Sequence, residues 1–183
     1  MRDAVSADDI EALEWLARAP EAHRTAAQTL TSWATEPHPD DDVSPADLLC
    51  AAAWHLGQAE DTEASLEMYR RAVAVGGTAT LDARVQLAGA LFEAGREAEA
   101  RQVADEFRLS KPRLLDLAAM AENFELVGDL GQAHRWVNIG VNRLQLVDDI
   151  DATAHDHEIE ELIHTRRRIR EALGYPADDL DRP

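Results

Sequence analysis

The sequence predicts an all-α fold, and three observations carry that expectation. Aromatic residues are only 5% of the 183 residues while 45% are hydrophobic, and the apolar share is mostly Ala, Leu and Val, the first two being strong helix formers. Nine Gly and seven Pro leave little material for the many tight turns of a β-sandwich. No run alternates apolar and polar residues with the period of two that a half-buried strand requires, so no sheet is expected.

The helices follow in order. Ser6-Ala7-Asp8-Asp9 opens the first: Ser6 caps it and Asp9 reaches back to the cap. Ile10, Leu13, Leu16 and Ala17 give it an apolar stripe, and Pro20 follows its stop near Ala19. A second helix runs from about Glu21 to Ala34, with Ala26, Leu30 and Trp33 on one side. Pro37-His38-Pro39-Asp40-Asp41-Asp42 reads as a loop, because the prolines lack donors and adjacent carboxylates repel. Ser44-Pro45-Ala46-Asp47 is a strong helix start, with a capping serine, a proline in the first turn and an acid at the positive end of the dipole. From there to about Leu144 helices alternate with breaks near Gln58–Asp61, Gly76–Thr80, Gly95–Arg96, Ser110–Pro112 and Gly128–Asp129. A second acidic break, Asp148-Asp149-Ile150-Asp151, precedes a final helix from about Ala154 to Leu173, ended by Gly174 and Pro176. The tail Ala177–Pro183 is expected to fray.

Charge and cysteine exclude several functions. Thirty-six acidic against 18 basic residues give a net charge of −18, which repels nucleic acid and anionic lipid alike. Cys50 is the only cysteine, so neither an internal disulfide nor a Cys-rich zinc module is available. No stretch approaches the roughly 20 apolar residues of a membrane span, and the first residues hold no apolar core of a signal peptide. A cytoplasmic location is expected. Lys111 is the only lysine; with the Ala richness, that Arg bias resembles the product of a GC-rich bacterial genome.

Three segments repeat. The first reads Leu49, Ala52, Ala53 and Leu56, then Ser65, Tyr69 and Ala72. The second reads Leu87, Ala88, Leu91 and Gly95, then Ala100, Ala104 and Phe107, with Pro112 after it. The third reads Leu117, Met120, Ala121, Phe124 and Gly128, then Ala133, Val137 and Gly140. Ala53, Ala88 and Ala121 are separated by 35 and 33 residues, and Ser65, Ala100 and Ala133 keep the same spacings. Small residues at such positions let helix axes approach, while Leu56, Leu91 and Phe124 fill the flanks.

This pattern resembles the tetratricopeptide repeat, a helix–turn–helix unit of about 34 residues, over roughly Ala46–Leu144. The first repeat departs from it, with Glu60 where the turn glycine belongs. The resemblance implies a right-handed α-solenoid of about three helical hairpins: residues 1–44 an N-terminal helix pair with an acidic loop, 45–146 the repeats, and 147–183 an acidic linker, a capping helix and a frayed tail, all in one structural domain. Removing 154–183 is expected to expose the third repeat and cause aggregation.

In such a stack the first helix of each repeat lines a concave face. That register assigns it Asp47, Cys50, Trp54 and Gly57, then Asp82, Val85, Gly89 and Phe92, then Leu115, Ala118, Glu122 and Glu125. Trp54 and Phe92 are the expected apolar anchors, since aromatics dominate interface hot spots, and Asp47, Asp82, Glu122 and Glu125 the charge selectors. None of these residues is Lys, Arg or Asn, so the clamp with which some family members hold acidic C-termini is not expected. The lining favours a basic or apolar segment of another protein. A groove filled by the protein's own N-terminal helices is the alternative.

Other constellations point to no chemistry. His157, Glu160, Glu161 and His164 share a helix face but read as a solvated face rather than a metal site. Arg166-Arg167-Arg168-Ile169-Arg170 is the only basic run and reads as a neutraliser of nearby acids. There is no Gly-x-Ser-x-Gly, no phosphate-cradling glycine loop and no His-Glu-x-x-His. The expected function is a non-catalytic protein-binding scaffold with no catalytic residue, cofactor or metal. The rivals are a self-assembly module, in which the Arg run docks on a second copy as a homodimer, and a regulator that binds a small ligand in the groove.

Overall fold

Local caps and breaks set the helix boundaries. The structure, a computed structural model, describes residues 2–77, 79–146 and 152–181, without the side chains of 145, 146, 152–156 and 181. These residues form α1 (Ala7–Leu16), α2 (Pro20–Thr35), α3 (Pro45–Gln58), α4 (Thr62–Val75), α5 (Ala83–Glu93), α6 (Glu97–Arg108), α7 (Leu114–Leu126), α8 (Leu130–Leu146) and α9 (Ala152–Ala172), with a short 3-10 turn at Asp179–Asp181. Among the described residues there is no strand, so the fold is all-α. None of these helices is long and apolar enough to cross a membrane. The acidic break at 148–151 and Thr78 lie outside the described residues.

Both serine caps form as the sequence predicts. Ser6 and Ser44 each accept from the amide three residues on, and Asp9 and Asp47 return the bond to the cap amide at 2.8 and 3.1 Å. Four helix ends share one turn, three within the repeat span and a fourth after α9, where the Tyr175 amide donates to the Arg170 carbonyl at 2.9 Å behind Gly174 (φ 72°). The amides of Asp61, Arg96 and Asp129 donate to the carbonyls of Leu56, Leu91 and Phe124 at 2.8–2.9 Å. The residue before each of these donors is left-handed: Glu60 (φ 61°), Gly95 (φ 71°) and Gly128 (φ 80°). This is the six-to-one bond of a Schellman motif, made three times on glycine and once on a glutamate.

The chain divides into two compact units, residues 1–97 and 98–183. The division falls inside the 45–146 span of the repeats. In the first unit α3 packs against both α2 and α4, and α4 against α5. Val5, Ala27, Leu30, Leu48 and Ala52 form a buried cluster, with Ile10, Leu13 and Trp33 packed on it. α1 rests on α2 and α3 yet has no buried residue of its own. The segment before it is tied down by Asp41, which accepts from the Val5 and His38 amides at 2.8 Å each and pairs with Arg2. The Arg2 bond, foremost, holds the Asp41 carboxyl well below the usual carboxylate range. The acidic loop is thus a knot in which one carboxylate collects four donors.

In the second unit α7, α8 and α9 pack on one another, and Phe107 of α6 stacks on Trp136 of α8 with ring centroids 6.1 Å apart. Gly140 admits α9: a β-carbon there would stand 2.5 Å from Leu162 Cδ2. The tail after α9 returns along it, where Asp178 meets Arg166 at 3.1 Å and Arg170 at 3.2 Å. Ala53, Ala88, Ala100, Ala121 and Ala133 are completely buried and Ser65 nearly so. The Ser65 hydroxyl donates to the Ala53 carbonyl at 2.7 Å, which joins α4 to α3 at their small positions.

Candidate binding groove

Positions 47, 50, 51 and 54 fall at helical spacing, so they share one face of α3. Positions 7, 10 and 14 do the same on α1. Between the two faces lies a groove of about 480 Å³, whose floor and end are completed by Val43, Thr80 and Gln86. Its charged lining residues are Glu14 and Asp47, and no Lys or Arg lines it. Asp47 also has structural work: one carboxylate oxygen closes the Ser44 cap and the other accepts from the Thr80 amide at 2.8 Å. Cys50 is buried in the wall. Burial first, then Asp47 and Asp82, push its thiol up to about 12. It is therefore a protonated apolar wall rather than a nucleophile.

Trp54 is 40% exposed and is held from beneath by two histidines. Its ring lies edge-on to His55 (centroids 5.0 Å) and to His23 (5.8 Å). The histidines bond each other through their Nδ1 atoms at 2.8 Å. These contacts pack part of the indole and leave the rest of its surface open.

Of the eight residues the sequence singles out, the structure gathers Asp47, Cys50 and Trp54 around this groove. Asp82 caps α5 through the Arg84 amide and pairs with the Arg84 side chain at 2.7 Å. Val85 and Phe92 are buried, Phe92 being 8% exposed, because α5 turns that face into the packing of its unit. Glu122 and Glu125, in the second unit, are both held by Arg168 of α9 at 2.8 Å. The alternative of N-terminal helices packed into the groove is met in part: α1 supplies one wall (Ile10, Glu14) and His23 of α2 touches Trp54, while the His23–His55 bond was not expected from the sequence. Among the described residues no three His, Cys, Asp or Glu side chains converge as metal ligands would.

Compared with protein-family models, with curated proteins and with solved structures, the chain has no match.

Proposed function

We propose that this chain is a non-catalytic protein-binding module that holds a basic, partly apolar segment of another protein in the groove between α1 and α3. Trp54 is the anchor, with Glu14 and Asp47 as charge selectors. The proposal includes a tetratricopeptide-like right-handed solenoid of three hairpins. The turn repeated at Glu60, Gly95 and Gly128 supports that architecture, as do the buried small residues in the same register. A cytoplasmic, bacterial setting remains part of the reading from composition.

One observation carries the functional reading: a seated, half-exposed tryptophan opens on a groove whose charged lining is entirely acidic. An arginine or lysine stem lies along such a ring while its head group meets the carboxylates. The basic run of α9 does not support docking on a second copy, since Arg166, Arg168 and Arg170 are engaged with Asp178, Glu122 and Glu125 within the chain. A small-ligand reading draws support from the groove volume, which falls within the roughly 300–1,000 Å³ of such sites. The test is fluorescence anisotropy with a labelled Arg/Leu-rich peptide and its Glu/Leu counterpart. Only the basic peptide should bind, and Trp54→Ala should weaken it at least tenfold while Trp15→Ala leaves it unchanged. Equal binding to the Trp54→Ala protein contradicts the reading.

A further inference from the structure

Trp54 borders a second cavity. Besides the groove shared with α1, its side chain helps to line a hollow of about 190 Å³ enclosed by α3, α4 and α5, whose one charged lining residue is Glu93. No Lys or Arg lines that hollow either. Trp54 thus lines two cavities that each hold acid, Glu14 and Asp47 in the larger and Glu93 in the smaller.

Burial, ahead of any neighbouring charge, raises one group in each wall. The Cys50 thiol, in the wall of the larger cavity, is raised by burial and then by Asp47 and Asp82. The Tyr69 phenol, in the wall of the smaller, is raised by burial, then by Cys50 and Glu93. The second hollow also presents Gln58 and Thr62 at its rim, side chains able to accept from a guanidinium.

We propose that the partner segment is bipartite: an apolar side chain rests on Trp54, and an arginine or lysine enters on each side, one reaching Glu14 and Asp47 and the other Glu93. This rests on the groove reading above and adds the partner's charge pattern. Charge complementarity selects the occupant. A single cation leaves one acid-walled cavity unfilled, and an acidic or purely apolar segment fits neither.

The test uses the full chain and a series of synthetic peptides, titrated by anisotropy. Two carry Arg-Leu-Arg patterns, with the arginines four or seven residues apart and the leucine between them. Companions replace one arginine or the other by alanine. At one of the spacings the two-arginine peptide should bind at least tenfold more tightly than either companion. Glu93→Gln and Glu14→Gln, both changes at exposed side chains, should each reduce it to the one-arginine level. Equal binding of one- and two-arginine peptides at both spacings, or no effect of Glu93→Gln, overturns the bipartite pattern. If Trp54→Ala still abolishes that binding, the groove reading survives. If no peptide binds the wild-type chain, or if the free chain self-associates through Trp54, both readings fail.

Discussion

The Nδ1 atoms of His23 and His55 stand 2.8 Å apart, so one ring donates and the other accepts. His55 is 0% exposed, and its Nε2 has no hydrogen-bond partner among the described residues. An orphaned N–H is dearer than an orphaned lone pair. The favoured arrangement therefore has His55 donating from Nδ1 to His23, with a bare Nε2.

That pairing predicts acid sensitivity. Burial, reinforced by His23, lowers the His55 pKa from 6.5 to about 4. Above pH 6.5 neither folded nor unfolded chain protonates it. Between 6.5 and 4 the unfolded chain takes the proton and the folded chain does not, so stability falls as pH falls. Chemical denaturation at pH 7 and 4.5 should show wild type losing on the order of 2 kcal/mol more than His55→Gln. Equal losses would contradict a buried, neutral His55.

Glu60 occupies a left-handed position that its counterparts at Gly95, Gly128 and Gly174 fill with glycine. Glu60→Gly should raise stability by about 0.5–1 kcal/mol, and Gly95→Ala or Gly128→Ala should lower it by about 1 kcal/mol, since a β-carbon is strained at positive φ. Thermal melts of the three variants check the signs. A destabilised Glu60→Gly would mean that the glutamate side chain has a role the turn does not reveal.

Much of the fold was legible because its signals are local. The Ser6 and Ser44 caps, Pro20, Pro45 and the glycine turns act within a few residues, so most helices and breaks fall near where the sequence places them, although α1 ends at Leu16 rather than near Ala19. The final helix begins at Ala152 rather than Ala154. The side-chain contacts between elements are distant ones. Arg2 meets Asp41 across 39 residues, His23 meets His55 across 32, and Arg168 meets Glu122 and Glu125 across 46 and 43. Nothing in the spacing of such pairs announces them. For the same reason helical register alone put Phe92 on an open face, whereas the packing of α5 buries it.

Gly140 and Leu162 form a close-packed pair. Alanine is worth about 1 kcal/mol over glycine in a helix interior, but here its methyl would overlap the Leu162 side chain. Gly140→Ala should therefore destabilise by about 1–2 kcal/mol net. In a Leu162→Ala background the same change should be neutral or stabilising. A denaturant double-mutant cycle separates the two terms, and a stabilising Gly140→Ala in wild type would show that α9 can retreat.

Arg168 ties α9 to α7 through two carboxylates, and both raise its pKa further, Glu125 more than Glu122. Because the group is part-exposed, Arg168→Ala should cost only about 1 kcal/mol, with most of that loss absent at 1 M NaCl. Urea midpoints at low and high salt measure it. A loss unchanged by salt would indicate packing of the arginine stem instead.

The most direct test of the account is the indole N–H resonance of Trp54 in protein with nitrogen-15-labelled tryptophan, assigned by Trp54→Phe. Titration with the two-arginine peptide should move that signal strongly, while those of Trp15 and Trp136 stay in place. A Trp54 signal that stays put at saturating peptide, or movement confined to Trp15, would contradict the groove.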